Sequence, residues 1–157
     1  MKPDLHSFPP TAMTAKPRLI VCERKAVWAT RLRSQLPREI AIRQLRVLGD
    51  VSAELELSPA SLLVVEVTAE NFAPVLELLA DLGRAFPLAR AVAVGERNAA
   101  ALREAMREAG AVDFVTSPRS ADQIAGIVRR HLERAPRPRL TLAARIWESL
   151  PWQDAAG

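Results

Sequence analysis

The sequence predicts an α/β fold organised around one parallel sheet. Short aliphatic runs at 18–22 (RLIVC), 62–67 (LLVVEV) and 89–94 (ARAVAV) are continuous rather than alternating, as in strands buried on both faces. Each is followed by a stretch whose apolar residues recur at helical spacing. Strands alternating with helices imply right-handed crossovers and helices on both faces, a doubly wound sheet. The central stretch 61–66 (SLLVVE) ends in a lone carboxylate, Glu66. In open α/β sheets the chemistry sits just beyond the carboxyl ends of the strands, so Glu66 marks the candidate site.

The elements follow in order. Residues 1–16 contain Pro, Thr and Lys without periodicity and read as a mobile arm. After the first strand, Trp28, Leu32 and Leu36 define one face of a helix over 26–36, which Pro37 ends. The run 40–47 (IAIRQLRV) is less apolar and predicts a second strand near an edge. Asp50 is placed to cap a helix reaching Leu57, and Ser58-Pro59 makes a turn. Beyond the third strand, Pro74 opens a helix with Val75, Leu78, Leu79 and Leu82 inward, its end loosened by Gly83. The fourth strand precedes a helix capped by Asn98, with Leu102, Ala105, Met106 and Ala109 inward and Gly110 at its end. The run 112–115 (VDFV) is a fifth strand, and Ser120 caps a last helix with Ile124, Ile127, Val128 and Leu132 inward.

Composition narrows the function classes. The chain has 157 residues, long enough for one domain with a core. No apolar run approaches the ~20 residues that cross a bilayer, and the N-terminus lacks the apolar centre of a secretory signal, so a cytoplasmic location and no membrane partner are expected. The single cysteine, Cys22, fits a reducing compartment and reads as a small buried hydrophobe. His6 and His131 lack partners at metal-ligand spacing and read as surface residues. The net charge of +4 is spread over helices with Arg and Glu interspersed, which describes solvated faces rather than a nucleic-acid surface. No fingerprint of a cofactor or metal site is present, so none is expected.

Taken together, the five βα units, the carboxylate ending the third strand and the segment AGAVDFVTSP at 109–118 resemble a response-regulator receiver (CheY-like) domain over residues 17–134. The resemblance implies a flavodoxin-like five-stranded parallel sheet in the order 2-1-3-4-5. It also implies a phosphoacceptor at Glu66, where the family carries Asp. The acidic pair that holds Mg²⁺ in the family corresponds to Glu23 and Arg24. The hydroxyl residue ending the fourth strand corresponds to Gly95, and the Lys ending the fifth to Ser117, followed by the family's Pro at Pro118. Mg²⁺ requires near-octahedral oxygen ligation, usually with carboxylates from the protein, and Arg24 puts a cation in one ligand's place. Losing the Lys and the hydroxyl removes donors that stabilise charge on a transferred phosphoryl group.

These departures predict a degenerate, phosphorylation-independent pseudo-receiver, a bacterial two-component-type module that is not an enzyme and acts through protein partners. Arg24 and Glu66 either form a bidentate pair that replaces the metal or both face water, where such a pair contributes about 0–1 kcal/mol. The resemblance places docking on the fourth helix, fifth strand and fifth helix; a homodimer is left open. Rival readings are a phosphorylatable receiver with unusual ligands, a small flavodoxin-like enzyme using Glu23, Glu66, Glu96 and Ser117, and a nucleic-acid binder using Arg129, Arg130, Arg134, Arg137 and Arg139.

The last segment differs in kind. Residues 135–139 (APRPR) form a stiff Pro/Arg linker. Thr141 is placed to cap a short C-terminal helix over 142–150, with Leu142, Ile146, Trp147 and Leu150 on one face and Trp152 following Pro151. A helix of this length is marginal alone in water, so it needs a surface. That surface is either a partner's groove or the chain's own domain.

Overall fold

The computed structural model describes residues 15–136. Five strands, β1 (Leu19–Cys22), β2 (Ile42–Leu45), β3 (Leu62–Val67), β4 (Arg90–Gly95) and β5 (Asp113–Val115), alternate with five helices. The helices are α1 (Val27–Gln35), α2 (Val51–Leu57), α3 (Phe72–Ala85), α4 (Arg103–Glu108) and α5 (Ala121–Arg134). All four strand pairings are parallel, in the order β2-β1-β3-β4-β5. This is the doubly wound sheet and the strand order expected.

Alternation along the strands divides the core between two faces. Leu19, Val21, Leu62, Val64, Val92 and Val94 pack with α1 and α5 residues, among them Trp28, Leu32, Ile124 and Val128. Ile20, Cys22, Leu63, Val65, Ala91 and Ala93 pack on the other face with Val51, Leu55, Val75, Leu79 and Met106 of α2, α3 and α4. The central strands are buried on both sides, which is why their sequences read as unbroken aliphatic runs. Two buried serines fix how the chain enters β1. Ser61 Oγ accepts the Arg18 N–H at 3.1 Å, and Ser58 Oγ donates to the Lys16 carbonyl at 2.8 Å.

Several local expectations need correction. The second strand covers only Ile42–Leu45, because it lies at the sheet edge and pairs on one side. The fourth helix does not start at Asn98; a 3₁₀ turn spans Arg97–Leu102 and α4 starts at Arg103. The run of alanines there offers no capping side chain, and tighter 3₁₀ bonding is a common way to begin a helix. Asp50 and Ser120 occupy the N-cap positions of α2 and α5, but neither side chain accepts a capping hydrogen bond. Gly83 lies in the last turn of α3, two residues before its end at Ala85. Gly110 has φ of +116°, the positive value that closes the turn after α4. His131 is half-buried rather than a surface residue, with Nε2 2.8 Å from the Ala60 carbonyl; as the donor to a carbonyl, that nitrogen carries the proton. Among the described residues, no helix is long and apolar enough to cross a membrane.

The expected partner-binding residues Leu142, Ile146, Trp147, Leu150 and Trp152 lie outside the described residues, as do His6, Arg137 and Arg139 and most of the N-terminal arm.

Candidate functional site at the carboxyl ends of the strands

Glu23 follows β1 directly, yet it does not face an open pocket. Its side chain turns back under the first turn of α1. Oε2 accepts the N–H groups of Val27 at 3.1 Å and Trp28 at 2.8 Å, and Oε1 accepts that of Ala29 at 2.8 Å. The residue is 2% exposed. A helix start leaves its first N–H groups without intrahelical partners and carries partial positive charge, so a carboxylate there is well satisfied. The N-cap residue proper, Ala26, contributes no side-chain bond. Glu23 does that work from three residues upstream.

Glu66 lies at the fifth position of β3, half-buried, between the buried Val65 and Val67. Its Oε2 accepts the backbone N–H of Arg24 at 2.9 Å, so the residues after β1 and at the end of β3 do meet. The bidentate pair between Arg24 and Glu66 does not form. The Arg24 guanidinium extends instead to Glu70, 3.2 Å away in the loop after β3. Both side chains of that ion pair are well exposed, where such pairs contribute about 0–1 kcal/mol. The physical reason is reach: a residue whose backbone already approaches Glu66 must fold its long side chain back sharply to present the guanidinium to the same carboxylate.

The loop between β3 and α3 is tied by Thr68 and Asn71. Asn71 Oδ1 accepts the Thr68 N–H at 2.7 Å, Thr68 Oγ1 accepts the Asn71 N–H at 3.3 Å, and Asn71 Nδ2 donates to the Glu66 carbonyl at 2.8 Å. Thr68, Glu70 and Asn71 were not singled out by the sequence reading. A Thr and an Asn three apart just before a helix is the detectable sign, because these side chains bond to nearby backbone in turns.

Gly95 ends β4 opposite Val67. A Cβ built there would lie 3.1 Å from the Val67 carbonyl oxygen, 3.3 Å from Ala99 Cβ and 3.3 Å from Phe114 Cζ. A side chain here would be crowded, its neighbours having to give by a few tenths of an ångström, with the buried Phe114 ring of β5 on one side. Arg103 lies over that ring, 5.8 Å from its centroid. Ser117 sits two residues beyond β5, where its Oγ accepts the Arg119 N–H at 3.4 Å. Its side chain serves the local turn.

A cleft of about 530 Å³ opens above the sheet, with Arg24, Thr68, Glu70, Glu96 and Asn98 among its lining. Neither Glu23 nor Glu66 lines it. Among the described residues, no group of three or more His, Cys, Asp or Glu side chains is placed to hold a metal ion. Asp113, at the start of β5, is engaged elsewhere, with Gln123, the Phe114 N–H and Arg103. Cys22 is buried, and burial, with lesser contributions from the charges of Asp50, Glu66 and Glu23, pushes its thiol up to about 11. A thiol held protonated is a packing group, as the sequence implied.

No protein-family model and no curated protein matches the sequence. Solved structures do. A CheY-like protein (tadZ) from Pseudomonas aeruginosa is 23% identical, with a TM-score of 0.62 over 78% of this chain and 98% of that one. A response regulator from Thermotoga maritima is 17% identical, with a TM-score of 0.64 over 76% of this chain and 99% of that one. A Burkholderia pseudomallei response regulator, solved with a phosphorylated aspartic acid, calcium ion and citrate, is 18% identical, with a TM-score of 0.59 over 85% and 75% of the two chains. With its β2-β1-β3-β4-β5 order and helices on both faces, the chain has the CheY-like, flavodoxin-type fold of response-regulator receiver domains.

Proposed function

We propose that this chain is a phosphorylation-independent receiver-like module that signals or regulates through protein contacts and catalyses no reaction. The observation that carries this reading is the engagement of Glu23. A carboxylate has about four acceptor positions on its two oxygens. Three amides take up both oxygens of Glu23 inside a buried helix start, so it is spent on holding α1 rather than directed at a cation. Arg24 adds a fixed positive charge at the next residue. Of the two strand-end carboxylates only Glu66 is left for a divalent ion, and the neighbouring Glu70 is paired with Arg24, a poor match to the oxygen ligation that Mg²⁺ requires.

Two further features support the same reading. Gly95 supplies no hydroxyl to contact a phosphoryl group and sits in a crowded place, and Ser117 offers a short neutral side chain committed to its own turn. Without a metal, and with the Arg24 guanidinium paired to Glu70, charge building on a transferred phosphoryl group lacks the donors that would balance it. The fold is then a scaffold that presents surfaces in a constant arrangement.

The test is phosphodonor labelling of the full chain with acetyl phosphate and Mg²⁺, beside a Glu66→Asp variant. Neither protein is expected to retain label in intact-mass measurement, because restoring the acceptor restores neither metal ligand nor cationic donor. Label on the wild type would revive a phosphorylatable receiver with unusual ligands. Label on Glu66→Asp alone would show that the surrounding machinery is intact and only the acceptor is changed.

A further inference from the structure

A second concavity, of about 420 Å³, lies at the amino ends of the strands, on the opposite side of the sheet from Glu66. Its lining includes Leu88, Val112, Ile127, Arg90, Arg130 and Arg134. Five large hydrophobic residues are exposed among the described residues, and two of them, Leu88 at 50% and Val112 at 45%, line this groove. Paired exposure of that kind in a concave site is more informative than scattered surface apolar residues. The three arginines give it a cationic rim. Ala135 and Pro136 also line it, and Pro136 is the last described residue before the segment 137–157.

We propose that the chain's own residues 142–152 occupy this groove as an intramolecular clasp. The segment carries Leu142, Ile146, Trp147, Leu150 and Trp152 as apolar anchors; Glu148 follows Trp147 and can meet the arginine rim, while Arg145 must face away from it. The lengths agree. Residues 137–141 (RPRLT) contain one proline and, if extended, reach about 15 Å at ~3.1 Å per residue. A helix over 142–150 returns about 13.5 Å at 1.5 Å per residue. A helix of that length would be long enough to run back from the end of the linker to the level of Leu88 and Val112. A cavity of this size is on the scale that encloses a few bulky groups. The groove supplies the surface that a helix too short to persist alone requires. Because it lies at the other end of the sheet, the clasp is independent of the chemistry at Glu66.

The test uses the full chain and two variants, Leu150→Asp in the segment and Val112→Asp in the groove, followed by amide and indole N–H resonances. Val112 is half-exposed, so its replacement leaves the core intact, and the β3 amides report folding in each sample. Leu150→Asp is expected to shift the amides of Leu88, Arg90, Val112 and Arg134, and Val112→Asp to shift the indole resonance of Trp147. Each variant should lower the melting temperature by about 2–4 °C, as loss of a modest contact does in a domain of this size. All shifts should be unchanged on dilution. Groove amides indifferent to Leu150→Asp, with an indole indifferent to Val112→Asp, would overturn the clasp and leave the segment for an outside partner. Shifts that fade on dilution would overturn it in favour of a second copy of the chain.

Discussion

At the scale of single residues, the decisive fact is that Glu23 acts as a helix cap. Replacing it by Ala leaves the amides of Val27, Trp28 and Ala29 without their acceptor in a buried place. Hydrogen bonds to charged groups contribute about 1.5–3 kcal/mol, and capping losses are typically ~1 kcal/mol. Glu23→Ala should therefore destabilise the protein by about 2 kcal/mol in urea unfolding, with Glu23→Gln in between, since it keeps one carbonyl oxygen. A metal-ligand role predicts the reverse, a gain in metal-free stability on removing an unpaired charge. Cys22 gives a second test. Its thiol is raised to about 11 in the folded protein, above the ordinary cysteine range of about 8.5 in the unfolded chain. Above that lower value the unfolded state has lost the proton that the folded state keeps, so stability falls as pH rises. The contribution is complete below the unfolded value and is gone above the folded one. Wild-type stability should decline through this alkaline window, and the decline should be shallower in Cys22→Ala.

At the scale of elements, Gly95 shows how neighbouring strands constrain one another. Gly95→Thr restores the hydroxyl side chain that the receiver resemblance leads one to expect. The gain from restricting the unfolded chain is about 0.4–1 kcal/mol. Against it stands a Cβ 3.1 Å from a backbone carbonyl that β3 and β4 hold in register, and overpacking of this kind costs about 1–3 kcal/mol. The net expectation is destabilisation of about 1 kcal/mol or more by thermal or urea unfolding, with no recovery of phosphodonor labelling. The strands and helices were legible in the sequence because buried parallel strands and amphipathic helices have different periods, and Leu62–Val67 shows this most clearly. The start of α4 was not, because Asn98 satisfies a capping rule that a 3₁₀ turn overrides. The site was legible only in part. Position along the strands put Glu23, Arg24, Glu66 and Gly95 at the right end of the sheet. The direction each side chain takes depends on unpaired amides and on reach. That is why Glu23 turns beneath α1, and why Arg24 finds Glu70, a residue no strand pattern highlights.

At the scale of the whole molecule, the question is whether the fold responds to the ligands of a phosphorylatable receiver. A ligand that binds only the folded state adds stability in proportion to the logarithm of its excess, about 2.7 kcal/mol at a hundred times its dissociation constant. For a domain of about this size each kcal/mol raises the melting temperature by roughly 2–4 °C. A working Mg²⁺ and phosphoryl pocket should therefore show itself as a rise of about 5–10 °C when Mg²⁺ and beryllofluoride are supplied in large excess. The arrangement found at the ends of β1 and β3 predicts no such rise. Glu23 already holds three amides, Glu66 accepts an amide from Arg24, and the Arg24 cation would repel an incoming divalent ion across the same few residues. Matched additions of NaCl at equal ionic strength separate site binding from general screening of the chain's net charge of +4. Equal curves in NaCl and in Mg²⁺ with beryllofluoride fit a scaffold whose surfaces do not depend on phosphate. A rise confined to the second condition would mean that the carboxylates can leave their amides for a metal, and the reading of Glu23 as a committed cap would fall with it.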